Sequence, residues 1–420
     1  MNINIRSTSG FMFSILFFFR YTKLIVNTVS WRLAKPYRSV AQPSYQPSDV
    51  SVIIPTANPN GEDFRETVRS TLISGAAKVI VVTFGEENTT GAYCSCLGLE
   101  YLERLQIIDN GVGNKRMQMC RGIDEVQTAI TVFCDDHVFW PRGFLASILA
   151  PFEDHRIGGV GMHKRVQRVR PSFWRPNLPN FFGCIYLERH NMEILATNRI
   201  DGGVFILSSR TAAYRTNILK DANFQRSFTN EYIESPFGRI GPLNADDDNF
   251  IMRWLTDYDW DIWIQNGPEA LMETTINNPW TTFTRQLLRW VRTTWRSNPR
   301  SLRQKKIYRT QPWSMYATNI SLFINFALLW DPLLLISLQN ATAGLPNRKL
   351  LTTVMIVWIL SSKVVKLVPY LLRNPTDIVL LPLYFAFAYA HSLLKLYALA
   401  TFSDISWGSR SDVDENQRTR

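Results

Sequence analysis

Three apolar runs occupy most of the C-terminal stretch of this 420-residue chain, at 316–338, 350–372 and 377–400. Each is long enough to cross a hydrocarbon layer about 30 Å thick. Backbone groups in hydrocarbon must bond within their own segment, so such runs are expected to fold as helices. A fourth run, at 11–30, holds Phe17, Phe18 and Phe19 but is interrupted by Arg20 and Lys23. No small-residue cleavage site follows it, which favours a retained anchor, spanning or interfacial, over a signal peptide. The chain thus divides into an anchor (1–40), a soluble domain (48–285), an interfacial region (286–315), three membrane helices (316–402) and a polar tail (403–420). Asp331-Pro332 lies inside the first C-terminal run, and Lys363 and Lys366 lie inside the second. Buried ions are costly there, so the two lysines are expected to snorkel toward the interface.

Charge sets the orientation. Lys and Arg number 46 against 35 Asp and Glu, a net charge of +11. Arg32, Lys35 and Arg38 follow the first run, and a dense basic stretch spans 292–309. Positive residues stay inside, so the soluble domain is expected on the cytoplasmic face of a membrane, read as the plasma membrane. The loop 339–349 then falls outside, where Asn340-Ala341-Thr342 is an N-glycosylation acceptor sequence. Arg348 and Lys349 run against that assignment, but the larger basic stretch outweighs them. The tail from residue 403 is expected outside as well. Anionic lipid accounts for the basic excess. Nucleic acid is not needed, because aromatic interleaving of the stacking type is missing. Five cysteines without metal or redox spacing read as reduced cytosolic thiols.

From residue 50 the soluble part alternates strand and helix. Continuous apolar strands are predicted at 50–56, 78–83, 105–109 and 129–134, with helices at 63–74 and 117–125. Unalternating strands separated by helices imply a parallel sheet covered on both faces, with ligands beyond the strands' carboxyl ends.

Four pieces carry chemistry. Asp135-Asp136-His137 leaves the fourth strand, where an acid and an imidazole two apart can hold one divalent ion, although alone it is equally a charged turn. Gly111-Val112-Gly113-Asn114-Lys115-Arg116 opens a helix whose N–H groups and Lys115 suit a diphosphate. Asp246-Asp247-Asp248 precedes an apolar helix, as a dipole-favoured helix start or as the source of a general base. Gln286-Leu287-Leu288-Arg289-Trp290 sets an amide, a guanidinium and an indole within one helical turn. Trp295 to Tyr308 reads as an interfacial amphipathic helix.

In that order, ahead of membrane helices, these pieces resemble the family-2 processive glycosyltransferases, which include hyaluronan, chitin and cellulose synthases. Among these the chain is most similar to fungal membrane polysaccharide synthases. The resemblance implies a GT-A-like, Rossmann-type α/β domain with a mixed sheet, followed by an α-helical transmembrane region. It implies a membrane-bound inverting enzyme that moves a sugar from a UDP-sugar to a growing cell-surface or cell-wall polysaccharide. Single-sugar transfer to a lipid-linked acceptor shares the motifs. Mg²⁺ or Mn²⁺ would sit at Asp135 and His137, with Asp136 as the alternative ligand. Pro55, Thr83, Lys115, Asp135, Asp136 and Arg289 would hold the donor. Gly202, Gly203, Gln286 and Trp290 would hold the acceptor, and Asp248, or Asp247 one residue earlier, would be the base. One departure stands out: the second strand ends in Thr83, where the family has an acid for the uracil base, and Glu86 or Glu87 would have to stand in. A non-catalytic scaffold is the rival reading, and retention of every other motif weighs against it.

Overall fold

The computed structural model describes residues 2–172, 175–208, 210–235, 238–276 and 279–405, with side chains from Ser7 onward. Eleven strands are present among these residues: β1 (Val50–Pro55), β2 (Lys78–Thr83), β3 (Leu105–Asp109), β4 (Ile130–Cys134), β5 (Val138–Phe139), β6 (Ile157–Val166), β7 (Thr211–Arg215), β8 (Ile233–Ser235), β9 (Gly238–Ile240), β10 (Asp261–Gln265) and β11 (Leu271–Thr274). The main sheet runs β3-β2-β1-β4-β7-β6-β11-β5, with β10 also pairing β6. Its first four strands are parallel, as the continuous apolar runs imply. Strand β7 then pairs antiparallel with both β4 and β6, making the sheet mixed.

Both faces are covered, and successive residues show it. Val52 and Ile54 of β1 join one core with Val79 and Val81 of β2, while Ile53, Ile80 and Val82 join the other. Phe64, Val68 and Leu72 of helix Glu62–Ile73 cover the first face. Met119 and Ile123 of helix Lys115–Asp124, with Phe250 and Leu255 of helix Asp247–Asp257, cover the second. Gly122 permits that close approach, since a Cβ there would lie 2.6 Å from Ile53 Cγ2. The strand ends and the N-termini of the helices at 115 and 247 are thereby brought to one rim.

The membrane-facing part departs from expectation in four ways. Among the described residues, three helices are long and apolar enough to cross a membrane: Ser7–Leu33, Arg348–Arg373 and Pro375–Ala400. The run at 316–338 is not one span. It breaks into a π-helical turn at Met315–Ile320 and a 15-residue helix, Ala327–Ala341, about 22 Å at 1.5 Å per residue. Asn319 and Asn325 interrupt the apolar sequence there. Lys363 and Lys366 do not snorkel: Lys363 lies 2.7 Å from Asp331, which Arg20 also reaches at 2.6 Å, and Lys366 pairs with Glu193. Pairing in place removes the cost that snorkelling would avoid.

The interfacial region is also different. Residues 280–303 form one helix, Trp280–Arg303, and the expected helix from Trp295 to Tyr308 is its end plus a short turn at Ile307–Thr310. Basic residues of the stretch 292–309 pair with acids from elsewhere in the chain: Arg292 meets Asp404, Arg296 meets Asp246, and Arg300 meets Glu231. The start of the tail, expected outside, therefore stays against helix Trp280–Arg303. At the start of Pro375–Ala400, Asp377 pairs with Arg168 of the soluble domain at 2.8 Å. From residue 406 the tail lies outside the described residues. Asn340 is exposed on the last turn of its helix, with Thr342 buried.

Candidate active site

The carboxyl ends of β1, β2 and β4 meet at one hollow, and buried Gln118 ties the first two together. Its amide donates to the carbonyls of Thr56 at 2.8 Å and Val82 at 2.9 Å. Pro55 ends β1, and Thr56 donates to Asp136 Oδ2 at 2.6 Å. Asn114 caps the next helix by accepting from the Met117 amide. That cap sets Lys115 at the helix start, with its amide bonded to Asn244 Oδ1 at 2.8 Å. Arg116, fully buried, bonds Glu231, the Phe228 carbonyl and the Ala245 carbonyl. The glycine turn and the acidic loop are thus fastened to one another.

Three adjacent carboxylates receive three different environments. Asp246, in the left-handed region at φ 65°, bonds Arg296 and Thr293. Burial opposes its charge, yet Arg296 holds the carboxyl down to about 2. Asp247 lies 3.3 Å from the Lys115 ammonium, whose other partner is Asp135 at 3.0 Å. Burial works against that ammonium, but the two carboxylates keep it above the ordinary lysine range. Asp248 is half-buried and accepts from both the amide and the side chain of Asn249. Burial first and Asp247 second push its carboxyl up to about 7. A carboxylate poised there accepts a proton near neutrality far better than an ordinary one.

At the end of β4, Asp136 binds Thr56 with one oxygen and sits 3.0 Å from His137 Nδ1 with the other. A carboxylate partner at Nδ1 leaves Nε2 as the ligating nitrogen, the orientation metal-bound histidines adopt. Asp135 keeps its second oxygen clear of any partner among the described residues. No group of three His, Cys, Asp or Glu side chains that could hold a metal occurs among the described residues. Two protein ligands nevertheless fit an ion that draws its remaining oxygens from phosphates and water. Asp136 is the supporting acid in this arrangement.

Helix Trp280–Arg303 closes the hollow. Arg289 interacts electrostatically with Asp135, Asp246, Asp247 and Asp248. The Trp290 indole stacks on Tyr186 with centroids 5.1 Å apart, and the Arg210 guanidinium stands 5.5 Å from its centroid. Gln286 has a buried side-chain oxygen with no partner among the described residues. Gly202 and Gly203 have another task. They end helix Leu178–Asp201, and a Cβ on Gly203 would lie 2.4 Å from Ser314 Oγ. Asp201 binds that same serine, so the glycines seat the membrane-side segment.

Three residues of interest escape sequence reasoning. Arg210 presents its carbonyl to the Asp135 amide at 2.8 Å and its guanidinium to Trp290. Buried Lys164 lies near Arg210 and Asp248; burial, then Arg210, bring it down to about 7. Asp109 is in register with Thr83 and accepts from the amides of Gly85 and Gly111. The acid beside the buried Thr83 is therefore Asp109 on the neighbouring strand, while Glu86 and Glu87 point to solvent on a helix start. No local motif marks any of the three, because strand pairing brings them in.

A family described as "Glycosyltransferase like family 2" matches residues 47–293. A "Type 2 glycosyltransferase" of Gibberella zeae is 40% identical over 98% of this chain and 77% of its own length. An "N-acetylglucosaminyltransferase" of Azorhizobium caulinodans is 26% identical over 86% of this chain and 87% of its own. Among solved structures, a mannosyltransferase from Pyrobaculum calidifontis in complex with GDP-Man and Mn²⁺ aligns with a TM-score of 0.54. It covers 95% of this chain and 100% of its own at 16% identity, a likeness of fold.

Proposed function

The chain belongs to glycosyltransferase family 2, and from that premise we propose that it inverts the anomeric centre of a nucleotide-diphosphate sugar by transfer to an acceptor hydroxyl at the membrane face. The observation that carries this reading is Asp248, a half-buried carboxyl brought up to about 7 beside Asp247 and close to Lys115 and Arg289. Asp248 takes the acceptor proton as the oxygen forms its bond to the anomeric carbon. The bond from that carbon to the diphosphate oxygen breaks, and its electron pair leaves with the diphosphate. Lys115 and Arg289 meet the charge that builds on the leaving group. Asp135 and His137 would hold Mg²⁺ or Mn²⁺, which supplies further charge neutralisation to the diphosphate. Thr83 and Asp109 border the nucleotide base, and a UDP-sugar is the donor. Trp290 and Gln286 face the acceptor. The catalytic domain lies on the cytoplasmic side of the plasma membrane. The acceptor is a growing cell-surface polysaccharide or a lipid-linked molecule, and product length separates them.

The test is transfer from a panel of radiolabelled UDP-sugars by membranes supplied with Mn²⁺. Asp248→Asn is expected to lower the rate ~10²–10⁴-fold while the donor still binds. Transfer near the native rate would overturn the assignment of the base.

A further inference from the structure

Between the N-terminal helix, helix Leu178–Asp201 and the helices at 348–373 and 381–400 lies a cavity of about 270 Å³. It adjoins the acceptor end of the active site, since Tyr186 lines it and stacks on Trp290, and Val291 lines it one residue further on. Six cationic side chains border it: Arg20, Lys23, Arg189, Lys363, Lys366 and Lys395. Against them stand two carboxylates. Glu193 serves Lys23 and Lys366, and Asp331, just behind, serves Arg20 and Lys363. Basic groups thus outnumber carboxylates around the cavity, and an imbalance of that kind is expensive in a low-dielectric setting. Arg189 has no hydrogen bond or ion pair among the described residues. The Lys395 ammonium has no carboxylate partner among the described residues: it donates to the carbonyls of Leu322, Phe323 and Asn325 and stands 4.8 Å from the Phe326 ring centroid.

A second observation points to a ligand. His190 Nδ1 and His391 Nε2 are buried polar atoms with no hydrogen-bond partner among the described residues, and both residues line this cavity. Native interiors rarely leave such atoms unmatched.

Resting on the glycosyltransferase reading, we propose that this cavity holds the phosphate group of a membrane lipid, and that this lipid is the acceptor. Its charge and oxygens meet the excess cations and orphan polar atoms. Its acyl or isoprenoid tail leaves between the apolar helices, and its hydroxyl reaches past Tyr186 to Trp290 and Asp248. A neutral polysaccharide passing through would give this many ammonium groups no counter-charge. A soluble phosphate would match the charge but has no need of a site walled by membrane helices.

The experiment uses the full chain in nanodiscs of phosphatidylcholine with or without phosphatidic acid, reading retained lipid by native mass spectrometry. Phosphatidic acid is expected to be enriched over phosphatidylcholine, and Arg189→Gln to reduce that enrichment roughly tenfold, the worth of one charge-assisted bond. Lys395→Gln is the second variant. Because Lys395 also fastens three carbonyls, its thermal unfolding is recorded alongside. Equal retention of the two lipids by the unsubstituted protein overturns the proposal. Arg189-dependent binding of inorganic phosphate in pure phosphatidylcholine, without enrichment of phosphatidic acid, overturns the lipid source and gives the site to a soluble phosphate. UDP binding to the same discs is measured separately. Its loss would count against the glycosyltransferase reading, whatever the lipid result.

Discussion

At the scale of single residues, the acidic run at 246–248 shows how far identity alone carries an argument. The sequence places three carboxylates ahead of a helix and leaves the base open between Asp247 and Asp248. The distinction comes from partners distant in the chain: Arg296 for Asp246 and Lys115 for Asp247. At Asp248, burial and the neighbouring Asp247 raise the carboxyl to about 7. A raised carboxyl is protonated below about 7, and only its ionised form can accept the acceptor proton. The kcat/KM of the native enzyme should therefore fall about tenfold per pH unit well below that value and level off above it. The residual activity of Asp248→Asn should lack this limb. A native profile that stays flat from acid to neutral pH would remove Asp248 as the titrating base. Thr83 teaches the converse lesson. Its departure from the family pattern is visible in sequence, but its neighbour Asp109 becomes visible only through the β2–β3 register.

At the scale of elements, the strands were readable because each is apolar throughout and short, so length and composition settle its class. The four parallel strands and the helices at 62–73 and 115–124 fall within a few residues of expectation. Helix Trp280–Arg303 was divided wrongly, because its polar first turns resemble a domain end and its later arginines resemble a lipid-facing strip. Those arginines instead close onto buried acids. Glu231 alone receives Arg116 at 2.7 Å, Arg253 at 2.7 Å and Arg300 at 2.5 Å, joining three helices. Glu231→Gln leaves three guanidinium groups without their counter-charge. It should cost about 3–5 kcal/mol, the range for breaking a buried pair, read as a lowered Tm of the detergent-solubilised protein. Gly203→Ala makes a milder claim at a joint between elements. With Ser314 Oγ 2.4 Å from the new Cβ, overpacking of about 1–3 kcal/mol is expected. A Tm equal to that of the native protein would show that the loop yields freely.

For the whole molecule, the question is what holds the membrane helices in register with the catalytic domain. Hydropathy identifies apolar runs but is silent about pairing, so it joined 316–338 into one span and sent Lys363 and Lys366 to the interface. The contacts show a charged thread instead: Arg20, Asp331 and Lys363 link three helices, and Lys23, Glu193 and Lys366 link two of them to the domain. Apolar side chains gain little by leaving lipid for one another, so such polar links are what specify the arrangement. The N-terminal helix and helix Ala327–Ala341 approach closely at their far ends, where a Cβ on Gly10 would lie 3.9 Å from that of Ala341. That separation suits a disulfide. A Gly10→Cys/Ala341→Cys protein should therefore cross-link under mild oxidation, read as a mobility shift reversed by reductant. Adding Asp331→Asn leaves Arg20 and Lys363 unpaired between the helices, and should slow cross-linking at that distant pair. Substituting Arg20, Asp331 and Lys363 together by Leu or Met removes the unpaired charges as well, and should restore part of the bundle's stability but not its register. Cross-linking unaffected by Asp331→Asn would mean that packing around Tyr21, Leu334, Met355 and Ile359 fixes the bundle without the charges.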